Sequence, residues 1–348
     1  MKIITELDSL QIPENASIRE AIATLDKTAI QIIFIIDTHR KVIGSVTDGD
    51  IRRGLLAGHS LEESVSLVMQ RDFYSLPKET GHKQAQRVMR ERQFRHIPLL
   101  DDNGRLHQLA MTGGFLPNIG QPNRIIIMAG GEGKRLRPLT QNCPKPMLSI
   151  GGKPLLEIMI EQCIDAGFSQ FTISVNYLKE QIMSYFGNGS KWGVSIDYLQ
   201  EDKPLGTVGA LASLQNFSKD PFLVINGDVL TKINFAELLK FHEECVSAAT
   251  ICVRQHSVTI PFGVVNMNGH TVSGLQEKPT LSEYVSAGIY VLSPQLLELI
   301  PKDSFFDMPQ LIQEAIDARH TVNAFPIHEY WLDVGHPETL AQANGEWA

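Results

Sequence analysis

Cysteine is scarce in this chain, and the four present, Cys143, Cys163, Cys245 and Cys252, form no C-x-x-C pair and keep no metal spacing with histidine. That pattern excludes a disulfide framework and a structural zinc site, and leaves buried or neutral thiols in a reducing compartment as the expectation. Long apolar runs are missing too. None approaches the eighteen residues of a membrane span, and the N-terminus MKIITELDSL places Glu6 and Asp8 where a secretory signal needs its apolar core, so a cytoplasmic location is expected. Positive charge is not in excess. Lys and Arg number 31 against 39 Asp and Glu, giving a net charge of −8 and a pI near 5.8. Such a balance disfavours nucleic acid and anionic membrane as partners, because both attract basic surfaces. No Ser/His/Asp or Cys/His nucleophile arrangement is visible, and His256, His328 and His336 lie near motifs without forming a set, so no histidine is given a role.

What is present begins with 348 residues, enough for two domains with separate cores, at an ordinary hydrophobic content of 43%. The most informative stretch is RIIIMAGGEGKRLRPLTQNCPKPM, Arg124 to Met147. Its apolar run Ile125–Met128 is too short for a buried helix and stops at a glycine cluster, which reads as a buried strand entering a turn. Glycines can bring bare backbone against a polyanion, so that consecutive N–H groups from Ala129, Gly130, Gly131 and Gly133 converge on its oxygens. Arg135 follows the last glycine, and Lys145 lies between two prolines, which aims two cations at one loop. The spacing is not that of a P-loop, and the acid that a dinucleotide-binding fingerprint needs has no clear candidate. A net-negative protein must hold an anionic substrate by such local cations, and Lys278 is the third of them.

GGEGKRLRPLT followed by PKPM resembles the signature GGxGxRLxPLT…PKP of the sugar nucleotidyltransferases. The motif EDKPLGTVG, Glu201–Gly209, resembles the family's second motif and departs from it by Val208 for alanine. There the resemblance implies nucleotide contacts from Glu201, Gly206 and Thr207. A carboxylate only accepts hydrogen bonds, so Glu201 at the base would favour guanine, with N1–H and N2–H₂ on one edge, over thymine or uracil; the alternative is a solvated glutamate at a strand end. The strand PFLVINGD ends in Asp228, which alone could cap a turn. The resemblance makes it a Mg²⁺ ligand, with Asp333 of WLDVG, 105 residues later, as its partner. Two acids with phosphate oxygens and water suit Mg²⁺, or Mn²⁺ in its place. Gly263 and the run Glu277-Lys278-Pro279 match the segment that receives the sugar phosphate, with Lys278 on the phosphate and Glu277 on sugar hydroxyls. SAGIY, from Ser286, departs from the family's N-A-G-I-Y by serine for asparagine, which bears on the choice of sugar.

Residues 1–118 carry a weak repeat with a period of roughly 64, each copy giving a helix, an apolar strand ending in Asp, a polar turn and a second strand. This resembles the tandem CBS module, a pair of β-α-β-β-α repeats that often binds adenosine nucleotides. The resemblance implies a ribose contact from Thr47 and Asp50, although Asp50 is equally readable as a helix cap. The second copy has Thr112 but Phe115 in place of the acid, so that half-site reads as lost. The sequence NIGQPN, residues 118–123, interrupts both patterns and reads as a linker. From residue 124 strands and helices alternate, as in an α/β fold with a Rossmann-like, mostly parallel sheet, here of the nucleotidyltransferase (glycosyltransferase-A-like) type, with ligands at the carboxyl ends of its strands.

The resemblance implies transfer of a nucleotidyl group to a sugar 1-phosphate, with Arg135, Lys145, Asp228 and Lys278 catalytic and pyrophosphate released. A CBS pair ahead of a transferase resembles the glucosamine-1-phosphate guanylyltransferases of bacterial legionaminic acid synthesis, which implies GTP and glucosamine 1-phosphate as substrates. Mannose-1-phosphate guanylyl transfer, or a uridylyl or thymidylyl enzyme, is the alternative within the same chemistry. A CBS-based adenosine-nucleotide sensor with an inert transferase domain is the alternative of another class. No hexapeptide repeat follows Asp333, so no appended acyltransferase is expected. Tandem CBS modules commonly pair, and a homo-oligomer is expected by that analogy.

Overall fold

The computed structural model describes every residue except 1, 5, 6, 29, 93, 95, 112–119, 215–218 and 348. Its contacts divide the chain into two compact units, Met1–Ile119 and Gly120–Ala348.

The first unit is built from two repeats. Strands β1 (Lys2–Ile4) and β2 (Gln11–Pro13) precede α1 (Ile18–Thr28), β3 (Ile32–Ile36), β4 (Val42–Thr47) and α2 (Asp48–Leu56). The second repeat gives β5 (Leu76–Pro77), α3 (His82–Glu91), β6 (His96–Leu100) and β7 (Leu106–Met111). The sheets run β2-β3-β4 and β1-β7-β6-β5. Strand β3 is apolar throughout because both its faces are covered. Ile33 and Ile35 pack with α1 and Val46, whereas Ile32 and Phe34 pack with Leu7, Leu10 and Leu109. The β3–β4 and β6–β7 turns repeat one device. Asp37 Oδ1 accepts from the N–H groups of His39 and Lys41 at 2.8 and 2.9 Å. Asp101 Oδ1 accepts from those of Asn103 and Arg105 at 2.9 and 2.8 Å. This correspondence sets Met111, rather than Thr112, in the place of Thr47. Thr112 and Phe115 themselves lie outside the described residues.

The second unit opens with β8 (Gln121–Met128), β9 (Ser149–Ile150), β10 (Lys153–Pro154), α4 (Leu155–Asp165), β11 (Phe168–Val175), α5 (Lys179–Phe186), β12 (Ser195–Gln200), β13 (Phe222–Asn226) and β14 (Val229–Thr231). It continues with α6 (Phe235–Glu244), β15 (Ala249–Thr259), β16 (Val264–Asn268), β17 (Thr271–Gln276), β18 (Thr280–Leu292), α7 (Met308–Asp317), β19 (Val322–Pro326), β20 (Trp331–Asp333) and α8 (Pro337–Glu346). The main sheet has the order β12-β11-β8-β13-β18-β15-β19, and only β18 pairs antiparallel to its neighbours. The mostly parallel α/β sheet expected from the alternating pattern is therefore present. Ile125 and Ile127 face one core, while Ile126 faces the other, which is why this strand shows no polar alternation. Strand order reverses between β8 and β13, so the carboxyl ends of these two strands open the crevice in which α/β sheets bind ligands.

Two local expectations are corrected. Residues 121–123, read as linker, are the first residues of β8, where Gln121 pairs with Phe168. The Asn123 amide is buried and donates to Pro221 O at 2.8 Å. The alternating pattern reads VGALASLQNF, from Val208, as a helix, whereas the structure has a 3₁₀ turn there, Gly209–Ser213. Its leading N–H groups, Val208 and Gly209, donate to Phe306 O of another segment at 3.2 and 3.1 Å.

Beyond the sheet, β15 and β18 continue as a two-stranded ribbon into the β16–β17 hairpin. Val258 faces Leu281, and Val265 and Met267 face Leu275 and Val272. All six are exposed. From Gln255 to Gln276 the sequence contains no Asp, Glu, Lys or Arg.

Candidate active site

A cavity of about 270 Å³ lies at the carboxyl ends of β8, β12 and β13, lined by Met128–Gly131, Lys145, Glu201, Leu205–Thr207, Asn226–Asp228 and Phe305. Three motifs separated by tens of residues in sequence therefore share one hollow.

The glycine loop does not work through backbone freedom at every position. Gly130 and Gly131 are absent from the left-handed region, and Gly133 alone of the loop enters it, at φ 60°. A Cβ on Gly133 would stand 3.0 Å from both Lys145 Cβ and Thr140 Cγ2. The loop is thereby seated on the segment that carries Lys145, and Thr140 Oγ1 donates to Gly133 O at 2.8 Å. Pro144 and Pro146 flank Lys145 in a short 3₁₀ turn, Lys145–Met147, which delivers the buried side chain inward.

Lys145 Nζ donates to Asp228 Oδ2 at 2.5 Å and lies 4.0 Å from Asp333 Oδ1. The two acids meet because β14 and β20 pair antiparallel, with Val229 opposite Asp333, and because Val334 N donates to Asp228 O at 2.9 Å. Burial pushes the Asp333 carboxyl above the ordinary aspartate range, and the Asp228 charge adds to that, while Lys145 and Arg135 oppose it. A pair of acids this close is an electrostatic demand for a cation. Arg135 stands on the same side, its Nη1 3.0 Å from His336 Nε2. His336, which the sequence left without a role, opens α8 and orients this guanidinium.

Glu201 is buried. Its Oε1 accepts from Ser174 Oγ at 2.6 Å and its Oε2 from Leu205 N at 3.1 Å, and the residue lines the cavity. The solvated strand-end glutamate is thus not what the fold builds. The Leu205–Gly209 segment is fastened to residues 306–308. Thr207 N donates to Asp307 Oδ1 at 2.9 Å, and Met308 N donates to Thr207 Oγ1 at 2.7 Å. Gly206 has φ 80°, and a Cβ there would meet Phe306 O at 2.6 Å, so only glycine fits.

Other expected residues are not at this cavity. Glu277 and Lys278 end the β16–β17 hairpin, with Gly263 across from them; a Cβ on Gly263 would stand 3.1 Å from Glu277 Oε2. Ser286 lies on β18 opposite Val253, its hydroxyl 2.7 Å from Tyr290 OH. None of the four lines the cavity. In the first unit, Thr47 caps α2 and Asp50 is the third helical residue of a capping box. The Asp50 carboxylate is buried and accepts from Thr47 N (2.8 Å), Thr47 Oγ1 (2.6 Å), Arg53 Nη2 (2.6 Å) and Gln70 Nε2 (3.0 Å). That set of donors occupies the lone pairs a ribose would need.

Phe305 is a lining residue that sequence reasoning missed. The following D-M-P-Q, a helix-start pattern in which Asp307 and Gln310 form a capping box, was the available signal.

The chain belongs to the nucleotidyl transferase family, whose model matches residues 124–348. CBS domain models match residues 4–57 and 64–107. The chain is 35% identical over 228 residues to the mannose-1-phosphate guanyltransferase of Yarrowia lipolytica, covering 61% of each. It is 32% identical over 244 residues to the UTP–glucose-1-phosphate uridylyltransferase of Synechocystis sp., covering 63% of this chain and 62% of that one. It therefore spans about three fifths of the length of these curated relatives. Among solved structures, HddC from Yersinia pseudotuberculosis superposes with a TM-score of 0.52 at 25% identity, over 65% of this chain and all of that one.

Proposed function

We propose that the second unit transfers a nucleotidyl group from GTP to a sugar 1-phosphate. The observation that carries this reading is the convergence of glycine loop, Lys145, Asp228 and Glu201 on one cavity at the strand-order reversal. A phosphate oxygen of the sugar attacks the α-phosphorus in line, the bond between α-phosphorus and bridging oxygen breaks, and pyrophosphate leaves. The attacking oxygen is already anionic at neutral pH, so no general base is needed, and the work is positioning and charge neutralisation. The amides of Gly130, Gly131 and Gly133 with Arg135 hold the β- and γ-phosphates; the Ala129 N–H, expected from the sequence to join them, is taken by Ser174 O at 2.9 Å. Lys145 neutralises the α-phosphate. Asp228 and Asp333 face a common cationic position and form a hard-oxygen donor set that fits Mg²⁺, with Mn²⁺ as substitute. When bound, such an ion offsets charge on phosphate oxygens.

Each Glu201 oxygen accepts one protein hydrogen bond and keeps a lone pair, so the carboxylate can still accept from the N1–H and N2–H₂ edge of guanine. Glucosamine 1-phosphate is the proposed acceptor, in a legionaminic acid or surface-glycan route, with mannose 1-phosphate the competing one. Gly263, Glu277, Lys278 and Ser286 are the proposed acceptor contacts, on a ribbon that would approach the cavity when sugar phosphate binds. We place the enzyme in the cytoplasm, where the thiols of its four cysteines would stay reduced. No described helix is long and apolar enough to cross a membrane. For the CBS unit the proposed role is regulation by an adenosine nucleotide held without a ribose contact from Asp50, or pairing of chains. The experiment is a matrix of GTP, UTP, dTTP and CTP against glucosamine, mannose and glucose 1-phosphates with pyrophosphate release as readout. GTP with glucosamine 1-phosphate should dominate, and activity confined to UTP or dTTP would reject the guanine assignment.

A further inference from the structure

Phe305 and Phe306 are adjacent and meet opposite fates. Phe306 is buried among Val208, Leu211 and Met308, and its backbone is tied on both sides. Its N–H donates to Leu205 O at 2.9 Å, and its carbonyl accepts from Val208 and Gly209. Phe305 is 62% exposed, yet it lines the same cavity as Glu201, Pro204, Leu205 and Gly206. An aromatic ring left in water beside a hollow forgoes the burial that normally determines where phenylalanine sits. The backbone that follows the ring is fixed by the hydrogen bonds of Phe306, which hold Phe305 at the edge of the cavity.

We infer that Phe305 is a stacking wall for the nucleotide base. Phe305 shares its cavity with the carboxylate proposed to read the base edge and with the uncharged Pro204 and Leu205, and Leu205 links the two: its carbonyl accepts from Phe306 N and its N–H donates to Glu201 Oε2. A ring at this place has no charge to offer phosphates or sugar hydroxyls. What it offers is a π-face, which every base shares and which larger bicyclic bases cover more fully. Phe305 therefore contributes to affinity for all bases and adds preference for purine over pyrimidine, while Glu201 discriminates by hydrogen bonding. The inference rests on the proposed nucleotide-binding function and names a specificity-determining residue for it.

Calorimetric titration of the full chain tests this with GTP, UTP and pyrophosphate, each with Mg²⁺, on wild type, Phe305→Ala and Phe305→Trp. Phe305→Ala should weaken GTP binding about 5- to 100-fold, weaken UTP binding less, and leave pyrophosphate binding unchanged. Phe305→Trp should bind GTP at least as well as wild type. Unchanged GTP affinity in Phe305→Ala overturns the stacking role, and so does an equal loss for pyrophosphate, because that would mark a general disturbance of the site. Wild type that binds none of the three overturns the nucleotide-binding reading itself, and the stacking role with it.

Discussion

Lys145 and Asp228 form a 2.5 Å ion pair across 83 residues of sequence, with the ammonium nearly buried and a second acid, Asp333, 4.0 Å away. The ammonium does for the two carboxylates what a divalent ion would do. Lys145→Met should destabilise the metal-free protein by about 1–3 kcal/mol, since Asp228 would lose its charged hydrogen bond and the two acids would keep only the Arg135 guanidinium against them. Millimolar Mg²⁺ or Mn²⁺ should restore most of the melting temperature. Turnover should fall about 10²-fold or more, because one charge contact to the reacting phosphate is lost. Calorimetric melting with and without the ion checks the first part, and pyrophosphate release the second.

Gly206→Ala should be more harmful than its size suggests. At φ 80° a new Cβ would press on Phe306 O at 2.6 Å and Asp307 Oδ1 at 2.7 Å. Strain of about 1–3 kcal/mol is expected, together with weaker nucleotide binding, because the same segment lines the cavity. Denaturant titration and calorimetry with GTP measure both.

His242 gives the fold an acid-sensitive point remote from the proposed chemistry. It is buried, its ring nitrogens 2.9 Å from Thr250 Oγ1 and 3.2 Å from Ser293 Oγ, and burial pulls its pKa down from 6.5 to about 4. The unfolded chain takes up this proton near pH 6.5 and the folded chain only near pH 4, so stability is lost as pH falls through that window. The loss should reach about 3 kcal/mol at the acid end. His242→Gln, which keeps an amide for the two hydroxyls, should flatten this part of the stability–pH curve.

The exposed ribbon predicts self-association. Two copies of a chain with net charge −8 repel, and the charge-free apolar face of β16–β17 is where that repulsion is weakest. An isolated two-stranded hairpin is also marginal in water, which favours a cover. Sedimentation velocity should show a dimer or larger species that Met267→Glu with Leu275→Glu shifts toward monomer. An unchanged species would assign association to another surface.

The sequence was most legible where burial is complete. The Ile125–Met128 half of β8 and strand β13 are apolar on both faces, so each appears as an unbroken run leading to glycine or acid, and the parallel sheet follows. The period of 64 in the first unit was visible because both turns use the same aspartate device. Other features depend on neighbours distant in sequence. Nothing near Asp333 shows that β20 pairs with β14 and brings it to Lys145. Asp50 reads as an open carboxylate until Gln70 and Arg53 are folded onto it. His336 and Phe305 acquire their positions only from the segments they meet.

The central claim, that Asp228 and Asp333 together serve catalysis at one cation position, is tested most directly by pyrophosphate release from GTP and sugar 1-phosphate in wild type, Asp228→Asn, Asp333→Asn and the double variant. The account predicts Mg²⁺-dependent release in wild type, a loss of about 10²-fold or more in each single variant, and little further loss in the double, because groups acting as a unit are not additive. Near-wild-type turnover in either single variant, with folding intact, would contradict it.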